Sequence, residues 1–170
     1  MSNMREIAEN KLIILYILSR AKRPLTQDQL TEINQSGGYM NYFIFAQELN
    51  ELIDGQYAEK INQMYKITLR GTQILNMFIN KIPDLTMKDI DEYVALHRES
   101  FKRDSEIFSE FYKISGKQYV ANLKVIENEM VLMELNLNVP TSKQAEKICS
   151  TWKNKAKDIY PYLINNLGND

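Results

Sequence analysis

Four side chains around the start of the third predicted helix can take part in nucleic-acid recognition. They are Tyr39, Asn41, Tyr42 and Gln47. An asparagine carboxamide can form two hydrogen bonds with adenine, which is worth roughly 1–3 kcal/mol of discrimination between bases. Asparagine is also a frequent helix N-cap, and a tyrosine often lies half-buried at the edge of a core. The sequence allows both interpretations of these residues.

Further residues before and after that helix are of types that bind phosphate groups. Positive side chains on a hairpin can hold the DNA backbone, and the amino end of a helix can bind a phosphate through its free N–H groups. The candidates are Thr26 and Gln27 at the second helix, then Lys60, Gln63, Lys66 and Arg70 in and after the hairpin. Lysines on a hairpin are also common as plain solvated residues.

The elements that position these residues have the order of three helices, a hairpin and a fourth helix. The predicted helices cover residues 9–21, 26–35, 40–54 and 70–81, and the predicted strands cover 57–61 and 65–68. Thr26 and Gln29 have the spacing of a capping box. The third helix has an apolar face that includes Tyr42 and Phe45, and a polar face that includes Glu48. This order is typical of a winged helix-turn-helix, which usually docks on duplex DNA.

The charge of the third helix is unusual for a helix that reads DNA. It contains Glu48, Glu51 and Asp54 but no Lys or Arg. These residues lie in its later turns, whereas base contacts come mainly from the first turns. The whole chain has 21 Lys and Arg against 22 Asp and Glu, for a net charge of −1. Bulk positive charge is therefore excluded as the basis of nucleic-acid binding.

The sequence contains no set of residues with the pattern of a catalytic or metal site. His97 and Cys149 are its only histidine and cysteine, so a Cys-His nucleophilic pair would require these two to meet. Cys149 lies in an apolar helical stripe, which predicts a small buried hydrophobe. No Gly-rich phosphate loop or cluster of metal ligands is present. We therefore expect no enzyme activity, no metal and no cofactor.

Residues 84–170 are predicted to form a second domain, with the boundary at Pro83-Asp84. Thr86 is expected to cap a helix that reaches His97 or Phe101. Three strands follow with period-two alternation, and they cover residues 105–114, 119–126 and 130–139. They should form an antiparallel meander with one apolar face. A long helix that begins at Thr141 is expected to cover that face, and Pro161 should kink or interrupt it.

The space between this sheet and the long helix has two interpretations. It can be an effector pocket, lined by Tyr119, Leu123, Met133, Leu135, Trp152 and Tyr160. The same residues can instead be the plain core of a domain of about 85 residues, which has little spare volume. We favour the core. The fourth and last helices carry more apolar surface than their own domains should cover, which predicts a homodimer.

Five segments of the chain carry a family resemblance. They are Glu-Asn-Lys-Leu-Ile-Ile-Leu-Tyr-Ile-Leu (9–18), Tyr-Met-Asn-Tyr-Phe (39–43), Ile-Thr-Leu-Arg-Gly (67–71), Ile-Asp-Glu-Tyr (90–93) and Val-Ile-Glu-Asn (125–128). Through them nearly the whole chain resembles the bacterial domain-of-unknown-function family DUF4364. The resemblance implies a winged-helix first half related to the PadR and MarR types of transcriptional regulator. Those proteins act as homodimers on palindromic DNA, so the resemblance implies the same partners here.

The sequence thus predicts an α+β protein. A winged helix-turn-helix covers residues 1–83, and a helix, a three-stranded antiparallel sheet and a long C-terminal helix cover residues 84–170. We expect a homodimeric transcriptional regulator that binds a palindromic double-stranded DNA operator and responds to a small-molecule or protein effector.

Two other functions and a location follow from the same residues. The acidic third helix also suits a winged helix that binds protein and not DNA. A third function is non-specific binding of single strands, with bases stacked on Tyr39, Tyr42 and Phe43. The longest apolar run of the first half, residues 12–18, is too short to span a membrane, so no membrane association and a cytoplasmic location are expected.

Overall fold

The computed structural model describes residues 2–169 and has an α+β architecture. Within that range there are seven α-helices, one short 3-10 helix and two three-stranded antiparallel sheets. The chain divides into two compact units, Met1–Lys102 and Arg103–Asp170. Each unit has its own hydrophobic core. The predicted α+β class is confirmed, as are the three-stranded antiparallel sheet and the long C-terminal helix that follows it.

The first unit contains six helices, one of which runs into the second unit, and a small sheet. Its elements are α1 (Ser2–Ala21), β1 (Leu25–Thr26), α2 (Gln27–Gly37), α3 (Tyr42–Asp54), β2 (Ala58–Ile61), β3 (Met64–Ile67), α4 (Leu69–Phe78), α5 (Asp84–Leu96) and the start of α6 (Arg98–Glu106). The 3-10 helix, Ile79–Lys81, directly follows α4. Strand β3 lies between β1 and β2 and pairs antiparallel with both. Strand β1 was not predicted, because two residues are too few to show an alternating pattern.

Helix α1 lies at the centre of the first unit. Residues 12–18 are all buried, because α3, α4, α5 and β3 pack around this helix. A helix on the surface would bury only one stripe of residues. Burial on most sides of α1 therefore accounts for the continuous apolar run at residues 12–18.

Helix α5 is part of the first unit's core. Its residues Ile90 and Val94 are buried there, and the side chain of Asp91 accepts hydrogen bonds from two residues of α1. The sequence placed the boundary at Pro83-Asp84, whereas the compact units divide after Lys102. Proline and a turn mark the start of a new helix, but they do not decide which core that helix joins.

Side-chain caps begin several of these helices. The capping box at Thr26 is present in full, and the hydroxyl of Thr141 accepts a hydrogen bond at the start of α7, Ser142–Leu167. The predicted cap at Thr86 is wrong, because α5 already begins at Asp84. Its N-cap residue is Pro83, which forms no side-chain hydrogen bond.

The second unit is a meander covered by one long helix. Strands β4 (Ile107–Ser115), β5 (Gln118–Glu127) and β6 (Met130–Val139) pair in that order, and α7 packs on the sheet. The indole Nε1 of Trp152 donates to the backbone oxygen of Lys124 at 3.2 Å. Helix α7 continues through Pro161, so this proline does not interrupt it.

Four of the six residues considered for a pocket between the sheet and α7 belong to the hydrophobic core of the second unit. Leu123 and Trp152 are only 3% and 2% exposed, and Met133 and Leu135 pack against the same cluster. Tyr160 instead lines a cleft of about 270 Å³ formed by residues of all three strands and of α7. The structure therefore supports the core interpretation for Leu123, Met133, Leu135 and Trp152.

Candidate nucleic-acid interface

Asn41 is the N-cap of α3. Its Oδ1 accepts a hydrogen bond from the backbone N–H of Ile44 at 3.0 Å, and its backbone is extended, with φ −69 and ψ 159. The cap interpretation is therefore confirmed. A carboxamide oxygen can accept two hydrogen bonds and the amide group can donate two. Because Asn41 is exposed, its side chain can cap the helix and still bond a base.

The first turn of α3 presents two aromatic rings to solvent. Tyr42 is 48% exposed and Phe43 is 80% exposed, and their rings meet edge to face with centroids 5.8 Å apart. Of the two interpretations of Tyr42, the core one is wrong, because the buried face of α3 begins one turn later, at Phe45. The sequence identified Phe43 only as a base-stacking residue, and its high exposure makes it a prominent feature of this surface.

Tyr39 belongs to the packing of the turn before α3. It is half-buried and packs against the core of the first unit. A Cβ on Gly37 would lie 2.0 Å from Cζ of the Tyr39 ring, so the ring rests on the glycine. Burial, with a smaller contribution from the charge of Asp89, raises the pKa of Tyr39. Tyr39 therefore serves this turn as a packing residue.

The turn between α2 and α3 is held by Asn34, which is 1% exposed. Its Nδ2 donates to the backbone oxygen of Met40 at 2.8 Å, and its Oδ1 accepts from the Met40 N–H at 3.2 Å. Gly38 ends α2 in the left-handed conformation with φ 61. These contacts fix where Asn41 enters α3. Sequence reasoning missed Asn34, although a polar residue on the apolar side of α2 was a signal.

Two acidic residues of α3 contact Lys11 of α1. Lys11 Nζ lies 2.7 Å from Oε2 of Glu51 and 3.3 Å from Oε2 of Glu48. The hydrogen bond from Lys11 lowers the pKa of Glu51, and the same bond raises the pKa of Lys11. Glu48 is only 2% exposed, so its predicted place on the polar face is wrong. Gln47 stays exposed and donates to Glu51 at 3.1 Å.

The β2–β3 hairpin turns at Asn62 and Gln63. Both residues have positive φ, 51 and 63, as a tight hairpin turn with a right-handed twist requires. Gln63 is exposed at the tip. Lys60 is exposed and its Nζ lies 5.3 Å from the centroid of the Tyr65 ring. Lys66 lies 3.6 Å from Glu59 on the paired strand, so part of its charge is compensated.

Arg70 contacts Tyr57 at the base of the hairpin. Its guanidinium lies 4.6 Å from the ring centroid of Tyr57 and donates to the tyrosine hydroxyl at 3.3 Å. Thr68 joins the same two segments, because its hydroxyl caps α4 and donates to the backbone oxygen of Gln56. Arg70 is exposed, so it can still contact a partner.

Thr26 and Gln27 lie at the start of α2. The Thr26 hydroxyl accepts from the backbone N–H of Gln29 at 3.2 Å, and the Gln29 side chain accepts from the Thr26 N–H at 2.9 Å. Gln27 is exposed. The capping box thus uses two of the backbone N–H groups at the start of α2 that were predicted to bind a phosphate. A phosphate at this position would have to bind the remaining free N–H groups.

The two residues considered for nucleophilic chemistry have structural contacts. His97 stacks on Tyr93 with centroids 4.0 Å apart, and its Nδ1 lies 2.8 Å from the Tyr93 backbone oxygen. Cys149 is buried in the second core, and this burial raises its pKa. Residues 2–169 contain no group of three or more His, Cys, Asp or Glu side chains arranged to hold a metal ion. In the same range, no helix is long and apolar enough to cross a membrane.

The fold and these residues define an α+β protein whose first unit exposes a polar and aromatic helix start and a short hairpin. Residues 10–167 match the family described as a domain of unknown function, DUF4364, and the chain belongs to that family. The match extends over both units. No curated protein matches the chain, and no solved structure does.

Proposed function

We propose that the first unit is a winged-helix domain that binds double-stranded DNA, and that the protein is a transcriptional regulator. The observation that carries the proposal is the order α1-β1-α2-α3-β2-β3-α4 with β3 central in the sheet. In this order α2, the turn and α3 correspond to a helix-turn-helix, and β2–β3 corresponds to the wing.

The exposed start of α3 supports its assignment as the recognition helix. Asn41, Tyr42 and Gln47 are exposed there, and a recognition helix contacts base edges mainly through its amino-terminal residues. The acidic residues of α3, which argue against DNA binding in the sequence, should repel DNA phosphates less than the sequence implied. Glu48 is buried, and both Glu48 and Glu51 form ion pairs with Lys11. Burial and pairing reduce the repulsion between these carboxylates and a phosphate backbone.

The remaining contacts in this proposal are to phosphates. Lys60, Lys66 and Arg70 supply three positive charges per protomer, and Gln63, Thr26 and Gln27 supply neutral donors. Two protomers then neutralise about six phosphates, which gives a slope of log K against log salt of roughly −5. Because the site has few cations, we expect weak non-specific binding.

A homodimer on a palindromic operator completes the proposal. Two-fold symmetric proteins bind two half-sites related by the same symmetry. Tyr162, Ile164 and Leu167 near the end of α7 are 63%, 53% and 81% exposed, and this apolar surface supports dimerisation. A regulator of this kind acts in the cytoplasm and would respond to a small-molecule or protein effector.

The exposed Phe43 also favours a second candidate function, a winged helix that binds a protein. An 80% exposed phenylalanine beside Tyr42 is typical of an interface anchor. The Glu48 charge is buried, so only Glu51 and Asp54 offer acidic contacts to such a partner. Under this second candidate, Phe43→Ala abolishes partner capture, and the protein does not bind duplex DNA.

Fluorescence anisotropy tests the proposal directly. A labelled duplex from the gene's own upstream region is titrated with the full chain at about 50 and 200 mM salt, with a scrambled duplex as the control. We expect binding that favours the native duplex and weakens with salt. Lys60→Ala should lower the salt slope by about one per contacting protomer.

A matched variant identifies the wing as the contact. Lys88→Ala removes an exposed lysine of α5 that the proposal does not place on DNA, so it should leave the slope unchanged. Equal binding of native and scrambled duplexes, or no binding at low salt, contradicts the proposal.

A further inference from the structure

A cleft of about 800 Å³ opens on the first unit between α1, α4 and the 3-10 helix. Its inner wall is apolar. Leu12, Leu15 and Leu52 are nearly fully buried and line it, and Ile74 and Phe78 continue the apolar surface on α4. This volume lies within the range of about 300–1,000 Å³ that is typical of small-molecule sites.

Charged residues give the cleft a preference for one sign of ligand. Arg5, Lys11 and Lys81 line it together with a single carboxylate, Glu9. Lys11 is committed to two acidic residues of α3. Within residues 2–169, Arg5 and Lys81 form no ion pair. With two cations outside any ion pair and one carboxylate in its lining, the cleft favours an anionic ligand group.

We propose that this cleft binds a free amphipathic carboxylic acid, with its apolar chain against the leucines and its carboxylate on Arg5 and Lys81. The shape of the cleft supports an elongated ligand. Arg5 and Leu15 both line it, and ten residues of helix separate them by about 15 Å. A carboxylate at the Arg5 end therefore leaves that length of cleft for the chain, with Ala8, Leu12 and Leu15 of α1 as its apolar contacts.

Isothermal titration calorimetry of the full chain with dodecanoate tests this site. Acetate has the same head without the chain, and dodecyltrimethylammonium has the same chain with the opposite charge. We expect dodecanoate to bind saturably at one site per protomer, and neither control ligand to bind. The double variant Arg5→Ala/Lys81→Ala should weaken binding by about tenfold, as the loss of two partly exposed charge contacts implies.

Two alanine positions give a matched steric test. Ala8 is exposed and lines the cleft, whereas Ala95 is exposed on α5 and does not line it. Ala8→Trp fills the cleft without removing a charge and should weaken dodecanoate binding more than tenfold. Ala95→Trp adds the same side chain elsewhere and should leave binding unchanged.

Several results overturn the proposal. Equal binding of dodecyltrimethylammonium means that no carboxylate is recognised, and unchanged binding by Ala8→Trp means that the ligand lies elsewhere. Light scattering, which measures the oligomeric state, tests whether the cleft is instead occupied by a second copy of the chain. If dodecanoate does not bind and Ala8→Trp converts a dimer into monomers, the cleft is a dimer contact. Recruitment of the chain by anionic vesicles, without binding of free dodecanoate, also overturns the proposal.

Lys11 connects the cleft to α3, and this part of the inference rests on the proposed function. Lys11 lines the cleft and also pairs with Glu48 and Glu51. A bound chain would exclude water from these pairs and strengthen them. We expect saturating dodecanoate to change operator affinity by fivefold or more, a typical coupling between two sites.

The two proposals fail separately. If the chain binds dodecanoate but no DNA, the proposed ligand site stands and the proposed function as a DNA-binding regulator is refuted. DNA binding that dodecanoate does not alter, measured when calorimetry shows a saturated cleft, refutes the coupling alone.

Discussion

Asn41 caps α3 and, in the proposed DNA complex, also reads a base, and two substitutions separate these roles. Asn41→Ala removes the cap hydrogen bond to the Ile44 N–H, which is 3.0 Å long. An N-cap substitution of this kind costs about 1 kcal/mol. For a unit of about 100 residues this corresponds to a loss of roughly 4 °C in Tm. Asn41→Ser keeps a capping oxygen and should cost only a few tenths of that energy.

The two variants should behave alike on DNA. Both lose the carboxamide that can pair with adenine, so each should reduce the preference for the native duplex by about 1–3 kcal/mol, or roughly 5- to 150-fold. Asn50→Ala is the matched control. It removes an exposed asparagine from a later turn of α3, and we expect no loss of stability, because alanine is the better helix former.

Urea unfolding and anisotropy with native and scrambled duplexes measure the two effects independently. If Asn41→Ser keeps the native sequence preference, Asn41 is only a cap and its assignment to the groove is wrong. If Asn41→Ala is as stable as the native protein, the cap bond contributes nothing measurable and the reasoning from its geometry is refuted.

Three further substitutions test the packing of the first unit by urea unfolding. Gly71→Ala places a Cβ 2.0 Å from the backbone oxygen of Tyr57, so we expect a loss of roughly 3 kcal/mol or failure to fold; an unchanged midpoint would contradict this geometry. Tyr16→Phe removes the 2.9 Å hydrogen bond to Asp91 and should cost about 1 kcal/mol. Burial, followed by this hydrogen bond, raises the pKa of Tyr16 from 10.0 to about 12. The tyrosine's contribution should therefore be complete below pH 10 and fall as the pH rises to about 12, a decline that the phenylalanine variant should lack. Lys11→Met leaves a buried carboxylate of α3 without its cation and should cost about 2 kcal/mol; a variant as stable as the native chain would show that the pair is not needed.

Sequence patterns that act over a few residues predicted most of the elements. The capping box at Thr26 is present, and the hairpin turns at Asn62 and Gln63. The strands of the meander lie within two residues of their predicted bounds. Caps, turns and hydrophobic alternation depend on neighbouring residues, so the chain itself carries this information.

Contacts between distant segments decided which residues are buried and which core each helix joins, and local sequence patterns did not predict these. Glu48 reads as a surface residue on its helix, but α1 packs over it and Lys11 pairs with it. Helix α5 reads as the start of a second domain, but Ile90 and Val94 complete the first core.

The sequence by itself determined most of the elements of this protein, their order and the residues offered for recognition. The tertiary structure alone decided which of them face solvent. Asn41 caps α3 and remains exposed, Tyr39 packs on a glycine, and Phe43 is 80% exposed. The apolar cleft also arises only in the folded unit, because residues from α1, α3 and α4 meet there. Local preferences act within a few residues, whereas burial and pairing depend on which segments the whole chain brings together.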